Sequence, residues 1–268
     1  LTVLHMKTKK RTKLWIALLA IFLVAAAIGT GIAIWYFSSG YTSQQLKGLV
    51  ETPTDSTNAA TGATDTSSVI YKENPIDFDK LQEINADLYA WIKIPNTSID
   101  YPVAQAYYEA DSFYLDHNIY KEYEFAGTIY TEKKNSKDFS DPNTVLYGHN
   151  MLNGTMFQNL HYFQDPVFFN ENDTLYIYTP GHILTYRIFA AYQYDDRHIL
   201  NSFDFSDESV FAQYLKDCLN PRSMLCNVRK DTTLTTDDKI ITLSTCLGSN
   251  KSVRYLVQGV LIKDELTR

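Results

Sequence analysis

The feature that most constrains this chain is a run of 24 uncharged, mostly apolar residues from Leu14 to Phe37. As an α-helix, these residues would extend about 36 Å at about 1.5 Å per residue, which is enough to cross the roughly 30 Å of a bilayer's hydrocarbon core. Trp15 at one end and Trp35-Tyr36 at the other belong to the residue types that are enriched at membrane interfaces. The run therefore predicts a transmembrane helix.

The charges on either side of the run predict its orientation. Basic residues precede it and the first acidic residue is Glu51; the basic ones are Lys7, Lys9, Lys10, Arg11 and Lys13. Because such residues accumulate on the cytoplasmic side, we expect a cytoplasmic leader at 1–13, a single-pass plasma-membrane anchor at 14–37 and an extracellular remainder. A cleaved signal peptide ending near Ala25-Ala26-Ala27 is the rival interpretation, but its apolar part is normally only about 7–15 residues long.

Residues 38–73 are predicted to form a flexible extracellular stalk. Their central part, 51–69, is rich in Thr, Ser and Ala, so it cannot bury enough apolar surface to offset the entropy lost on ordering. The folded domain is expected at 74–268. Five of the 24 basic residues lie in the leader, which leaves 19 against 31 acidic residues and a net charge of −12. Such an acidic exterior argues against nucleic acid as a partner.

The sequence of the folded domain shows mostly the patterns of short strands, with few helices. Asp77 can cap a helix whose Phe78, Leu81, Ile84 and Leu88 share one face. Two more helices are predicted near 156–163 and from Ser206 onward. Apolar runs bounded by turn residues predict strands at 91–94, 99–103, 127–131, 144–147, 174–179, 183–194, 239–245 and 253–262. This mainly β pattern indicates a closed or nearly closed barrel with helices packed around it.

Three cysteines occur, at 218, 226 and 246. An odd number in an extracellular domain leaves at least one free thiol. Cys218 falls on the apolar face of the helix that starts near Ser206, which favours a buried structural thiol. A Cys218–Cys226 disulfide is the open alternative, because sequence spacing does not establish the geometry of a bridge.

Cys246 ends the segment Lys239-Ile-Ile-Thr-Leu-Ser-Thr-Cys246, and Arg254 opens the next strand. If the two strands form a hairpin, the thiol and the guanidinium become neighbours at its open end. The guanidinium would then lower the pKa of the thiol or hold a developing oxyanion. From this segment alone, an arginine in solvent beside a half-buried cysteine is equally compatible.

His149 is the best-placed histidine to move protons for such a thiol. It follows the apolar segment Val145-Leu146-Tyr147 and the small residue Gly148. Cysteine chemistry needs a proton-transfer partner near neutral pH, and histidine is the usual one. The other histidines of the domain lie among polar or loop residues without such a setting; these are His117, His161, His182 and His198.

Together, these motifs resemble the sortases, and class B in particular. The resemblance rests on Thr242-Leu-Ser-Thr-Cys246 with Arg254 downstream, on Tyr147-Gly-His149, and on Trp91-Ile-Lys-Ile-Pro95 leading to Ile99-Asp-Tyr-Pro-Val103. It implies an eight-stranded sortase barrel with an N-terminal helix and a helix in the long loop before the nucleophile strand.

The resemblance also implies a reaction. Cys246 would attack the carbonyl after the threonine of an NPxTG-like C-terminal sorting motif on a secreted protein, giving a thioacyl enzyme. His149 would act as general acid and base, Arg254 would stabilise the oxyanion, and Ser244 would contact the substrate threonine. An amine of a peptidoglycan cross-bridge or its lipid-linked precursor would then resolve the thioester, with no metal or other cofactor.

Three other functions compete with this interpretation. A sortase-like pilin polymerase would use the same residues on a different acceptor. An L,D-transpeptidase or a peptidoglycan amidase also uses Cys and His outside the cell, although its nucleophile signature differs. A tethered binding domain with an incidental Cys246 is the non-catalytic alternative, which slow labelling of that thiol would indicate.

Overall fold

The computed structural model describes residues 2–38, Leu46, Gly48, 71–247 and 250–268. The central part of the predicted stalk, 51–69, lies outside the described residues. The chain divides into two compact units, 1–39 and 40–268. The first contains helix α1 (Thr2–Ser38), whose segment Trp15–Ile34 is exposed along its length and is long and apolar enough to cross a membrane. Its orientation stays a prediction.

The second unit contains the strands and the shorter helices. The described strands are β1 (Leu88–Lys93), β2 (Asp100–Ala104), β3 (Ile129–Tyr130), β4 (Asn143–Tyr147), β5 (Thr174–Thr179), β6 (His182–Asp195), β7 (Cys226–Val228), β8 (Ile240–Leu247) and β9 (Asn250–Leu266). The described helices are α2 (Phe78–Ile84), α3 (Pro166–Glu171), α4 (Ile199–Ser202) and α5 (Glu208–Leu219), with 3₁₀ helices at Phe113–Leu115 and Gln158–Gln164.

Eight of these strands close into a ring. Their order is β5-β1-β2-β3-β4-β8-β9-β6, and a further β5–β6 pairing returns to the start. The β2–β3 and β4–β8 pairs are parallel, and the other pairs are antiparallel. Closure satisfies both edges of each strand in the ring. The expected eight-stranded barrel is confirmed. Strand β7 lies outside the ring and pairs with residues 190–192 of β6, beyond the part of β6 that pairs with β5.

Alternating side chains divide β8 and β9 between two packed faces. Ile241, Leu243 and Val257 belong to the main core, which draws on strands all around the ring. Ile240 and Leu256 point the other way and share a second cluster with α5. Because side chains alternate along a strand, Cys246 lies on the α5 side of the sheet, on the outer face of the barrel.

Local polar contacts explain where two helices differ from their predicted bounds. Asp77 caps α2 by accepting from the Lys80 N–H at 3.0 Å, but the helix ends at Ile84 and Leu88 opens β1. Asn85 stops it: its side chain accepts from the Asp87 N–H at 3.0 Å, a local bond that competes with helical bonding.

The other differences concern short elements. Helix α5 begins at Glu208 rather than at Ser206, because Asp207 accepts from the N–H groups of Ser209 and Val210. The helix predicted at 156–163 is the 3₁₀ helix Gln158–Gln164. The strand predicted at 127–131 is only Ile129–Tyr130, and β7, α3 and α4 lack predicted counterparts. The Pro180-Gly181 turn is confirmed, with Gly181 at a φ of 87°.

Candidate active site

Cys246 and Arg254 are paired directly across the β8–β9 hairpin. Opposite residues in an antiparallel pair place their side chains on the same face, with Cβ atoms about 4.5–5.5 Å apart. Both residues are partly buried. The register shifts immediately afterwards, between Cys246 and Leu247, so this is the last regular pair before the connection between the two strands. The pair thus lies at the closed end of the hairpin, and the expectation that it lies at the open end is wrong. The hairpin predicted from the sequence is confirmed.

Two tyrosines lie near this pair. Tyr130 and Tyr147 stack with ring centroids 5.3 Å apart. Burial raises the pKa of both phenols, and the positive charge of Arg254 opposes that rise in each case. The charge of Cys246 adds to the rise in the pKa of Tyr130. Arg254 therefore lies within electrostatic reach of both rings.

His149 is brought beside Cys246 by the parallel pairing of β4 with β8. Tyr147 pairs with Ser244, and the Gly148 N–H donates to the Ser244 carbonyl at 3.2 Å. On the other side of the histidine, Asn150 Nδ2 donates to the Cys246 carbonyl at 3.1 Å. The backbone at 148–150 thus follows the end of β8, and His149 lies next to the cysteine.

The imidazole of His149 is held by two further contacts. Its ring stacks on Phe125 with centroids 5.2 Å apart, and Nε2 lies 2.8 Å from the Leu115 carbonyl. A carbonyl only accepts, so Nε2 carries a proton and Nδ1 is the free acceptor of the neutral ring. Burial lowers the pKa of His149, while the Leu115 hydrogen bond and the charge of Asp116 oppose this shift. The neutral form is accordingly favoured.

Gly148 is required by packing rather than by its dihedral angles. An added Cβ would lie 2.5 Å from Ile129 Cδ1 and 2.7 Å from the Phe157 ring, well inside van der Waals contact. The absence of a side chain lets the backbone pass close to these core residues on its way to His149.

Comparison with known proteins supplies the family. The sortase domain model matches residues 92–262. The sortase B of Listeria monocytogenes is 33% identical over 186 residues, covering 68% of this chain and 72% of that protein. The chain belongs to the sortase family. The sortase B of Staphylococcus aureus is 29% identical over 188 residues, 69% of this chain and 75% of that one.

Solved structures agree with this assignment. Clostridium perfringens sortase B superposes with a TM-score of 0.63 at 34% identity, covering 70% of this chain and 100% of that one. A Staphylococcus aureus sortase B–substrate complex gives a TM-score of 0.61 at 28% identity, covering 69% and 84% of the two chains. The chain is thus a class B sortase, and its activity is that of a cysteine transpeptidase.

Ser244 lies on the same face of β8 as the cysteine of this sortase, two residues earlier. It pairs with Tyr147 on one side and with Leu256 on the other, and it is 6% exposed. This places Ser244 next to the thiol along the strand, while its contact with a substrate threonine stays a prediction. The same holds for the absence of a metal: within the described ranges, no group of three His, Cys, Asp or Glu side chains is arranged to hold one.

His161 has no distinctive sequence context, but the structure places it at Cys246. Its Nε2 lies 3.1 Å from the Cys246 carbonyl oxygen, although the two residues are 85 positions apart. The sequence shows no special setting for His161, and this contact with the backbone of Cys246 is visible only in the structure. Nothing near His161 in the sequence signals this contact, because it depends on how the 3₁₀ helix Gln158–Gln164 packs against β9.

A polar cluster ties the long loop before β8 to the end of β3. His198 Nε2 lies 2.8 Å from Glu132 Oε1, and the His198 ring is 6.2 Å from that of Tyr147. Lys134 Nζ donates to the Leu200 carbonyl at 3.1 Å. These contacts hold the segment around α4 close to Tyr147, which lies near Arg254.

The remaining two cysteines are separate free thiols. Cys218 is buried in the α5 cluster, as predicted, and Cys226 is exposed on β7. Burial raises the pKa of Cys218 to about 11. The disulfide that the sequence left open is absent from the structure, in which both sulfurs are described.

Proposed function

We propose that this sortase cleaves an NPxTG-like C-terminal sorting motif of secreted proteins after its threonine and forms a thioacyl intermediate on Cys246. An amine of a peptidoglycan cross-bridge or its lipid-linked precursor then takes the acyl group. The observation that carries the proposal is the direct pairing of Cys246 with Arg254, with His149 beside them.

The first half-reaction forms the thioester. The thiol loses its proton to the imidazole of His149 as sulfur attacks the threonine carbonyl, and the oxygen that gains charge is held by the guanidinium of Arg254. The imidazolium then donates its proton to the nitrogen of the departing glycine, and the C–N bond breaks. Support comes from the free Nδ1 of His149, which can accept a proton while Nε2 remains fixed on the Leu115 carbonyl.

The second half-reaction reverses these roles. An incoming amine attacks the thioester, and the neutral His149 accepts its proton. The collapse of the oxyanion breaks the C–S bond and releases the Cys246 thiolate, which takes the proton from the His149 imidazolium. A neutral resting imidazole suits this general-base step, and burial of the ring favours that form. Ser244, which precedes the nucleophile on the same face, is the residue that we assign to the substrate threonine.

The anchor and the extracellular catalytic domain belong to the same proposal. Helix α1 contains the apolar span Trp15–Ile34, and the basic leader at 1–13 favours a cytoplasmic N-terminus. External protease on intact, wall-stripped cells should release a soluble fragment by cutting between residues 51 and 69. Complete protection of the chain would contradict the proposed orientation.

The test of the reaction is incubation of the catalytic domain with NPxTG-type and LPxTG-type peptides and an amine. Mass spectrometry should detect a peptide adduct on Cys246 and an amine-linked product. Cys246→Ala should abolish both, whereas Cys218→Ala and Cys226→Ala serve as matched controls that keep activity if they fold. Cleavage at the wild-type rate by Cys246→Ala would rule out the proposed nucleophile.

A further inference from the structure

The backbone carbonyl of Cys246 accepts hydrogen bonds from two side chains that neither the strand ladder nor the proposed reaction requires. Asn150 Nδ2 and His161 Nε2 each lie 3.1 Å from this oxygen. The β8–β9 register shifts at the same peptide, between Cys246 and Leu247. The ladder therefore becomes irregular at the position where the two side-chain donors fasten the carbonyl.

The hydrogen bonds of His161 specify one form of its ring. Gln164 Nε2 lies 2.8 Å from His161 Nδ1, and an amide nitrogen only donates, so Nδ1 is the acceptor. Nε2 then carries the hydrogen that goes to the Cys246 carbonyl. Burial of the ring also lowers the pKa of His161, against the opposing effect of this hydrogen bond. A neutral His161 with its proton on Nε2 is thus a fixed donor.

His161 approaches the strand from the face opposite to the thiol. Its ring packs on Tyr255, with centroids 5.1 Å apart, and Tyr255 pairs with Thr245. Arg254 and Cys246, the adjacent pair, point to the other face because side chains alternate along a strand. With Nε2 bonded to the carbonyl and Nδ1 to Gln164, both nitrogens of His161 are occupied, which argues against a role in proton transfer.

We propose that His161 and Asn150 are positioning residues that clamp the Cys246 peptide group and thereby hold its sulfur against Arg254 and His149. Rotation of this peptide would move the thiol relative to the scissile carbonyl. A displacement of about 1 Å in a reacting group can cost ~10²-fold in rate. This inference rests on the proposed role of Cys246 as the nucleophile. It adds that a side chain on the opposite face of the strand, that of His161, helps to orient Cys246.

The kinetic test uses two substitutions at one position. His161→Phe keeps an aromatic ring against Tyr255 but removes the donor, whereas His161→Gln keeps a donor. We expect His161→Phe to lower kcat for peptide cleavage by ~10–10²-fold with little change in KM, and His161→Gln to recover most of this loss. His182→Gln, which alters an exposed histidine at the β5–β6 turn, is the control and should leave both constants unchanged.

Asn150 supplies an independent check of the clamp. Asn150→Ala should also lower kcat, and combining it with His161→Phe should cost less than the product of the two single losses, because either one already releases the peptide. Fully multiplicative effects would show that the two residues act separately and would overturn the shared clamp.

A measurement that needs no substrate tests this inference separately from the proposed function. Carbonyl-¹³C cysteine labelling should show the Cys246 signal moving upfield in His161→Phe, since a carbonyl carbon loses deshielding when its hydrogen bond is lost. An unmoved signal refutes the clamp whether or not any peptide is cleaved. A wild-type enzyme that cleaves no motif, with the signal shifting as expected, refutes the proposed function instead.

Two further outcomes, one in the kinetics and one in thermal unfolding, would overturn the positioning role. An equal, large loss in His161→Gln and His161→Phe would make His161 a proton-transfer residue. A lower melting temperature with normal kcat in His161→Phe would leave it a purely structural contact.

Discussion

Replacing Arg254 by lysine separates the two roles that a guanidinium opposite a nucleophilic thiol can have. Lysine keeps the positive charge but loses the planar fork that holds an oxygen with two parallel donors. Arg254 pairs directly with Cys246 and is partly buried near Tyr130 and Tyr147. These surroundings leave a lysine ammonium little room to shift into the position of the guanidinium.

The two roles predict losses of different size. Suppose that the positive charge acts only on the Cys246 thiolate, and that the substitution moves this charge from about 5 Å to about 7 Å from the sulfur. At an effective dielectric constant of about 20, Coulomb's law then gives a loss of only about 1 kcal/mol, or about five-fold. Removal of an oxyanion donor instead costs ~10²–10³ in turnover, or about 2.7–4 kcal/mol. We expect Arg254→Lys to fall in the second range.

The assay measures kcat and KM for an NPxTG-type peptide. The loss should appear in kcat with KM nearly unchanged, because the interaction strengthens only in the transition state. The pH dependence of Cys246 alkylation by a small reagent is the control, since it reports the thiol without needing an oxyanion donor. A lysine variant with near-normal kcat, or one whose whole defect follows a shifted alkylation profile, would refute the oxyanion role.

Three further predictions follow from packing and burial. Gly148→Ala should lower the free energy of unfolding by ~1–3 kcal/mol, because the new Cβ would lie 2.7 Å from the Phe157 ring; an unchanged urea midpoint would contradict this. Burial lowers the pKa of His149 from its ordinary 6.5, so the unfolded state binds more protons and stability should fall as the pH drops below about 6.5. His149→Gln should flatten that urea-derived dependence, and an identical slope would show that the ring does not contribute. Because burial raises the pKa of Cys218 to about 11, an alkylating agent at about pH 8 should modify exposed Cys226 at least about ten-fold faster, as site-resolved mass spectrometry can measure.

Much of the fold could be predicted because its signals are local. Strand β5 has the predicted bounds, and the alternation in residues 240–246 correctly placed Cys246 and Ser244 on one face and Leu243 on the other. The Cys246–Arg254 pairing also followed from sequence, since two strands joined by a short turn pair with each other almost by necessity. Short elements such as β7 were missed, because three residues carry too little periodicity to stand out.

The sequence by itself determined the apolar N-terminal helix, the mainly β class and the strand that carries Cys246, because each depends on a residue pattern within a short window. Only the tertiary structure decided that β5 returns to β6 to close the ring and that β4 lies parallel to β8, which brings the backbone at His149 alongside the end of β8. It also decided that His161, 85 positions from Cys246, reaches its carbonyl. The physical reason is that such contacts depend on how distant segments pack together, and no local pattern of side chains encodes that packing.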